Sequence, residues 1–179
     1  MSPSLVVMGV SGCGKSSLAE AVAQALSLPM IEGDHHHDPA NVARMNQGIA
    51  LTDADRAGWL GRLGELLGQH PDGAVLSCSA LKKAYRDRLR AASPGLCFAW
   101  LDIDRDESLR RVAGRGAAHF FSAGLVDSQF ATLEPPLDEA GVLRLDASRP
   151  LDLLLAEVLA WYADRRTPPD QRDAASIAR

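Results

Sequence analysis

The chain has 179 residues, 46% of them hydrophobic and 23% charged, a composition typical of one globular domain rather than of a disordered segment. Its formal net charge of −4 argues against a protein that coats nucleic acid, and no apolar stretch has the length of a membrane span. Three cysteines without a C-x-x-C spacing argue against a disulfide framework or zinc site and favour a reducing cytosol. The apolar run near the N-terminus leads directly into a glycine-rich motif, so we expect no signal peptide.

Strand and helix patterns alternate along the first half of the chain, as expected for a parallel sheet covered by helices. Asp38 followed by Pro39 predicts the start of one helix, and Thr52 predicts the start of the next. Glycines within that next helix weaken its prediction. The predicted elements are, in order, a strand at 4–10, a helix at 17–26, a strand at 30–32, helices at 38–47 and 52–67, and a strand at 74–78.

The second half continues the alternation. Its predicted elements are a helix at 82–92, a strand at 96–103, helices at 106–115 and 126–132, a strand at 142–145 and a closing helix at 151–163. Small residues predict a mobile lid at about 112–124, and the polar segment 167–179 is expected to be a flexible tail. Together these elements predict a single α/β domain over 1–166, with helices on both faces of a five-stranded parallel sheet.

The segment 9–16, which reads GVSGCGKS, fits the phosphate-loop pattern G-x-x-x-x-G-K-[ST] at every required position. It lies between a predicted strand and a predicted helix, which is the context that this motif needs. Backbone N–H groups and the helix N-terminus would attract phosphate, Lys15 would reach the β- and γ-phosphates, and Ser16 would bind Mg²⁺. The predicted ATP-binding residues of this segment are Gly9, Val10, Ser11, Gly12, Cys13, Gly14, Lys15, Ser16 and Ser17.

A phosphate loop alone does not distinguish a kinase from a GTPase or a motor ATPase. The chain lacks the guanine-reading N-K-x-D segment of GTPases, and it is too short for a large ATPase. A small-molecule kinase needs only a sheet, a phosphate loop, an acceptor pocket and a lid, so the sequence favours this class. A nucleotide-binding module without catalytic activity is the alternative from a different class.

The acceptor pocket of an open α/β sheet is expected beyond the carboxyl ends of its strands. After the second predicted strand, Asp34 is the candidate base for the attacking hydroxyl, and Glu32 is a candidate Mg²⁺ ligand through water. Three consecutive histidines follow, but adjacent side chains point in different directions and rarely converge on one metal ion. We therefore interpret His37 as a contact to a substrate hydroxyl.

Basic residues on three predicted helices are candidates for binding anionic groups. Lys82 and Arg86 are four residues apart and share one helix face, and Arg56 lies on an earlier helix. Arg115, before the lid, is the candidate for stabilising charge on the transferred phosphoryl group, and Arg111 is a candidate for stacking on adenine. A solvated surface position is the alternative for each of them.

Further runs make the chain recognisable. They are EGD at 32–34, CSALKKAYRD at 78–87, HFF at 119–121 and SQFATLE at 128–134. With the phosphate loop, their identity and order resemble the phosphate-loop gluconate kinases, which are relatives of shikimate and nucleoside monophosphate kinases. The resemblance extends from Leu5 to about Tyr162, and the second and fourth runs are its most specific parts.

The resemblance implies a P-loop kinase fold with strand order 2-3-1-4-5, ATP-dependent phosphorylation of D-gluconate at its terminal hydroxyl, and a homodimer. It places His119, in the lid, among the candidate substrate-binding residues. Glu32 stands where the family usually has aspartate, and Arg115 precedes His119 by four residues instead of three. Another small-molecule kinase of this fold, acting on shikimate or a nucleotide, is the alternative within enzymes.

Overall fold

The computed structural model describes residues 3–114 and 123–166. Its strands are β1 Leu5–Met8, β2 Met30–Glu32, β3 Val75–Ser77, β4 Cys97–Asp102 and β5 Val142–Asp146. Its α-helices are α1 Lys15–Leu26, α2 Pro39–Asn46, α3 Asp53–Gly68, α4 Lys83–Ala92, α5 Arg105–Gly114, α6 Ala123–Thr132 and α7 Leu151–Arg166. A 3₁₀ helix, Gly33–His36, follows β2. The elements alternate as the sequence predicts.

In the described part of the chain, the strands form one five-stranded parallel sheet in the order β2-β3-β1-β4-β5, which confirms the predicted fold. The central strand β1 pairs with β3 and β4, so that Leu5 lies opposite both Val75 and Cys97. Successive side chains of a strand point to opposite faces of a sheet. Val7 accordingly packs in the core beneath α1 and α7, and Val6 packs in the core beneath α3 and α4.

Helix starts follow the predicted capping signals. Asp38 Oδ1 accepts a hydrogen bond of 2.8 Å from the backbone N–H of Asn41 at the start of α2. Thr52 and Asp55 form a reciprocal capping box at the start of α3, with bonds of 3.2 and 2.8 Å. These contacts satisfy N–H groups that have no partner within their own helix. They also fix the residues at which both helices begin.

The glycines of α3 have a packing role that the sequence prediction did not recognise. A Cβ at Gly64 would lie only 2.9 Å from the Cβ of Ala92 on α4, and a Cβ at Gly61 would lie 3.1 Å from the Arg88 guanidinium. The missing side chains therefore allow α3 and α4 to approach each other closely. Glycine lowers helix propensity, but here it permits the contact that covers this face of the sheet.

The 3₁₀ helix after β2 was not predicted, because the sequence there was interpreted as a loop. Its first residue, Gly33, passes so close to β3 that a Cβ would lie 2.4 Å from the backbone oxygen of Ser77.

Helix α6 begins at Ala123, three residues before its predicted start. Most of the predicted lid, and the predicted tail 167–179, lie outside the described residues. Among the helices within 3–114 and 123–166, none has the length and apolar character needed to cross a membrane.

Candidate active site

The phosphate loop joins β1 to α1 at the carboxyl edge of the sheet. Gly12 has a φ of 78°, and a Cβ there would lie 2.8 Å from the backbone oxygen of Ser108, so only glycine fits. Gly14, with a φ of 98°, is the N-cap of α1, which begins at Lys15. The first N–H groups of a helix have no intrahelical partner and carry positive potential. The loop and α1 together form an anion-binding surface.

Two helices hold the phosphate loop through one residue, Ser11. The Ser108 hydroxyl on α5 donates a hydrogen bond of 2.7 Å to the backbone oxygen of Ser11. On α6, Oε1 of Gln129 accepts bonds from the Ser11 backbone N–H at 2.6 Å and from its hydroxyl at 3.0 Å. Both ends of the Ser11 backbone are therefore fixed by the helices that come before and after residues 115–122.

A cleft opens beside the phosphate loop, between the 3₁₀ helix, α2, α3 and α6. It brings together five of the predicted site residues, Ser11, Lys15, Asp34, His37 and Arg56. It therefore combines two cationic groups, a carboxylate and an imidazole on one surface. Its full lining is Ser11, Lys15, Asp34, His37, Met45, Leu51, Arg56, Trp59, Ser79 and Gln129.

Lys15 and Asp34 are the charged groups nearest to the phosphate loop in this lining. Nζ of Lys15 donates a hydrogen bond of 3.0 Å to the backbone oxygen of Val10, which leaves two of its three donors for other partners. Asp34 is exposed on the 3₁₀ helix. Burial raises the pKa of the Cys78 thiol to about 12. The negative charges of Asp34 and Glu32 add to this rise, and a hydrogen bond with the Ala80 backbone and the positive charge of Lys15 oppose it. This thiol stays protonated and supplies no nucleophile.

His37 is held against Trp59 in the wall of the cleft. The two rings stack with centroids 4.2 Å apart, and Trp59 Nε1 donates a hydrogen bond of 2.8 Å to the backbone oxygen of Gly33. Burial, together with the nearby charge of Arg56, lowers the pKa of His37 to about 4, against a smaller opposing effect of Asp38. His37 is therefore neutral near pH 7. Its buried Nδ1 has no hydrogen-bond partner within the described residues.

The candidate cations Arg56 and Lys82 differ in their surroundings. Arg56 lines the cleft and donates a hydrogen bond to the backbone oxygen of Leu51. Lys82 is not part of the cleft lining, and its Nζ lies 2.8 Å from both carboxylate oxygens of Asp53. Tyr85 also donates its hydroxyl hydrogen to Asp53. Asp53 thus engages Lys82 at the side of the site, whereas Arg56 faces into it.

Arg86 has a different role from the predicted one, because the structure keeps it out of the cleft. Its side chain is 0% exposed and forms an ion pair with Glu139, with an N–O distance of 2.5 Å. Its remaining donors bond to the backbone oxygens of Ala80, Leu81 and Glu134 at 2.9 to 3.0 Å. All of its hydrogen-bonding directions are used inside the protein. Arg86 therefore ties α4 to the segment after α6 and cannot bind a substrate.

Four other predicted site residues lie on α1, β2 and α5. Ser16 and Ser17 are exposed in the first turn of α1, and Glu32 is the last residue of β2. Arg111 on α5 bonds to Glu107 at 2.5 Å and to the backbone oxygen of Ala147 at 3.0 Å, which places it beside the loop after β5. Arg115 and His119 lie outside the described residues.

Several cleft residues were not singled out from the sequence. Ser79 and Gln129 belong to runs that carry the family resemblance, but no chemical role was assigned to them or to Trp59. A ring that supports a histidine, or an amide that bonds to a distant loop, has no spacing signature. Their roles depend on tertiary contacts. In the described part of the chain, no three His, Cys, Asp or Glu side chains are grouped to hold a metal ion.

Comparison with known proteins assigns this site to a family. The chain is 43% identical to a gluconokinase of Gluconobacter oxydans (88% of this chain, 90% of that protein) and 44% identical to the thermosensitive gluconokinase of Escherichia coli (80% and 78%). The chain belongs to the gluconokinase family. A crystal structure of a gluconokinase from Sinorhizobium meliloti superposes with a TM-score of 0.83 at 44% identity, covering 90% of this chain and 92% of that one.

The gluconokinase family is related in turn to shikimate kinases, whose family profile matches residues 11–123 of this chain. Both comparisons identify the chain as a kinase. They do not favour the alternative of a nucleotide-binding module without catalytic activity.

Proposed function

We propose that this protein transfers the γ-phosphoryl group of ATP to the terminal hydroxyl of D-gluconate, which yields ADP and 6-phospho-D-gluconate. The observation that carries the proposal is the single cleft in which Lys15, Asp34 and Arg56 lie next to the phosphate loop. Its relatives from Gluconobacter and Escherichia, which are named gluconokinases, supply the identity of the acceptor.

On the donor side, the phosphate loop and the N-terminus of α1 bind the phosphates of ATP. The two unused donors of Lys15 contact the β- and γ-phosphates and stabilise the charge that moves onto the β–γ bridging oxygen. Arg111 lies beside the loop after β5, a position suited to contact with the adenine. Arg115 remains our candidate for a further positive charge on the transferred group.

On the acceptor side, Asp34 accepts the proton of the terminal hydroxyl as its oxygen attacks the γ-phosphorus. The new bond forms in line with the bond between the γ-phosphorus and the β–γ bridging oxygen. That bond breaks, and the bridging oxygen leaves with ADP. Arg56 pairs with the gluconate carboxylate, a role that Lys82 is less able to take because it is engaged by Asp53. Neutral His37 forms a hydrogen bond with a hydroxyl of the sugar chain, as His119 is also expected to do.

The residues around the loop fit a Mg²⁺ ion, which prefers oxygen ligands and retains several of its waters. Ser16 presents an exposed hydroxyl in the first turn of α1, and Glu32 carries a carboxylate at the end of strand β2. We propose that Ser16 binds the ion directly and Glu32 binds through water. When bound, the ion neutralises charge on the β- and γ-phosphates.

The test is a coupled ADP-release assay on the purified protein with ATP and a panel of acceptors. We expect turnover with D-gluconate and none above background with shikimate or nucleoside monophosphates. Sorbitol, which has the hydroxyls without the carboxylate, should be a poor substrate, because Arg56 would then lack its partner. Absence of turnover with gluconate would refute the proposal.

The expected homodimer and cytosolic location are separate predictions, tested by analytical ultracentrifugation and by cell fractionation.

A further inference from the structure

We propose that Gln129 is a substrate-binding residue whose side-chain amide donates a hydrogen bond to a hydroxyl of the acceptor. The inference rests on the proposed function, because it assumes that a polyhydroxylated acid occupies the cleft. Gln129 lies on α6, far along the chain from the other cleft residues, yet it lines the same cleft as Lys15 and Asp34.

The orientation of the Gln129 amide follows from its contact with the phosphate loop. The backbone N–H of Ser11 can only donate, so the group 2.6 Å from it must be the amide oxygen of Gln129. The Ser11 hydroxyl donates to the same oxygen at 3.0 Å. With the oxygen held from two directions, the amide nitrogen and its two hydrogens must point away from the loop.

The amide nitrogen of Gln129 has no hydrogen-bond partner within residues 3–114 and 123–166. Its side chain is only partly buried and forms part of the cleft wall. The two N–H donors of the Gln129 amide line the same cleft as the carboxylate of Asp34. They suit an oxygen that accepts a hydrogen bond from the amide while it donates its own hydrogen to the carboxylate. A hydroxyl has this dual capacity, whereas a phosphoryl oxygen only accepts.

The same amide would connect the two substrates of the reaction. Its oxygen holds Ser11 in the loop that binds the nucleotide phosphates, and its nitrogen would hold the acceptor. An acceptor bound in this way is positioned relative to the loop by one rigid planar group. Such positioning is what an in-line displacement requires.

The test combines a substitution with altered substrates. Gln129→Met has a similar length but no hydrogen-bonding groups. KM and kcat are measured at saturating MgATP for gluconate and for a series of monodeoxy gluconates, each lacking one secondary hydroxyl, and KM for ATP is measured at saturating gluconate. We expect Gln129→Met to raise KM for gluconate about tenfold. In the wild type, one deoxy analogue should show a similar increase, and in Gln129→Met that analogue and gluconate should have equal KM values.

This loss of additivity is the signature of direct contact, which a purely structural role of Gln129 would not produce. The inference is overturned if the KM of each deoxy analogue exceeds that of gluconate by the same factor in both proteins, or if only KM for ATP rises. Gln129 would then serve the phosphate loop alone. Asp127→Asn is the control, because Asp127 lies on the same helix but is exposed and paired with Arg105. Its KM values should match those of the wild type.

Two further arms keep the outcome decisive. Wild-type turnover of gluconate is measured first, so that failure of the proposed function is seen separately from failure of this inference. Thermal melting verifies that the variant is folded. If Gln129→Met does not fold, Gln129→Glu replaces it, because a glutamate keeps an oxygen for Ser11 and replaces the two donors by a second, negatively charged acceptor.

Discussion

At the residue scale, the chemistry of the cleft depends on which groups are held neutral and which stay charged. Burial and the nearby charge of Arg56 lower the pKa of His37 and keep its ring neutral near pH 7, whereas Asp34 is exposed. A neutral imidazole can donate and accept at its two nitrogens, which suits a hydroxyl. A carboxylate suits the removal of a proton. The two residues, three positions apart, therefore have distinct roles.

Asp34→Asn tests the proposed base. We expect kcat to fall by about 10²-fold or more, because the amide cannot accept the proton of the attacking hydroxyl. KM for gluconate should change by less than about threefold, since asparagine has nearly the same shape. Asp72→Asn, an exposed position in the turn before β3, is the matched control and should retain wild-type kcat. An Asp34→Asn variant with near-normal kcat would assign the base to another group.

The pKa of His37 predicts a pH dependence of stability. Its pKa is about 4 in the folded protein and 6.5 in the unfolded chain, so the unfolded state binds more protons between these values. Lowering the pH from 7 to 4 should therefore reduce the free energy of unfolding, by at most about 1 kcal/mol per pH unit. Above about pH 7.5, where His37 is neutral in both states, this contribution is constant.

Urea unfolding from pH 4 to 8 measures this effect, with His37→Gln as the variant. The substitution removes the titrating group, so its stability should fall less steeply below pH 6.5 than that of the wild type. His35→Gln is the control, at an exposed position on the 3₁₀ helix that precedes His37. Equal slopes in His37→Gln and the wild type would show that the ring is not held neutral by folding.

At the element scale, the contact between α3 and α4 shapes one wall of the site. Helix α3 carries Arg56 and Trp59, and its N-terminal residue Asp53 binds Lys82 and Tyr85 at the start of α4. The close approach of the two helices depends on small residues where they meet, above all Gly64. The position of the cleft wall therefore depends on packing some distance from the chemistry.

Two glycine substitutions on α3 should have opposite effects. Gly58 has no neighbouring atom within 4 Å of a built Cβ among the described residues, so Gly58→Ala should raise the free energy of unfolding by about 0.5–1 kcal/mol through helix propensity. Gly64→Ala should lower it by about 1–3 kcal/mol, because its Cβ would clash with Ala92. Urea unfolding measures both. Ala92→Gly should restore most of the stability lost in Gly64→Ala, and no recovery would contradict the clash.

At the scale of the whole molecule, the alternation of elements and the phosphate loop made the fold predictable. Apolar strands and strong capping residues such as Asp38 and Thr52 are local signals. The structure confirms the helix starts that these two residues predict. Contacts between distant segments were not predictable. The approach of Gly64 to α4 and the bonds from Gln129 to Ser11 join segments whose proximity is decided only by the completed fold.

The error on Arg86 has the same origin, since spacing places a residue on a helix face but does not say what covers that face. A buried arginine bonded to Glu139 and three backbone oxygens is costly to remove, because each partner would lose a donor inside the protein, although Glu139 would keep its ion pair with Arg90 at 2.8 Å. We expect Arg86→Met to lower the free energy of unfolding by about 3–5 kcal/mol. Arg88→Met, at an exposed position on the same helix, should change it by less than about 0.5 kcal/mol.

At a temperature where Arg86→Met stays folded, its KM for gluconate should remain close to that of the wild type. A stable variant with a greatly raised KM would instead support the substrate-binding role that burial argues against.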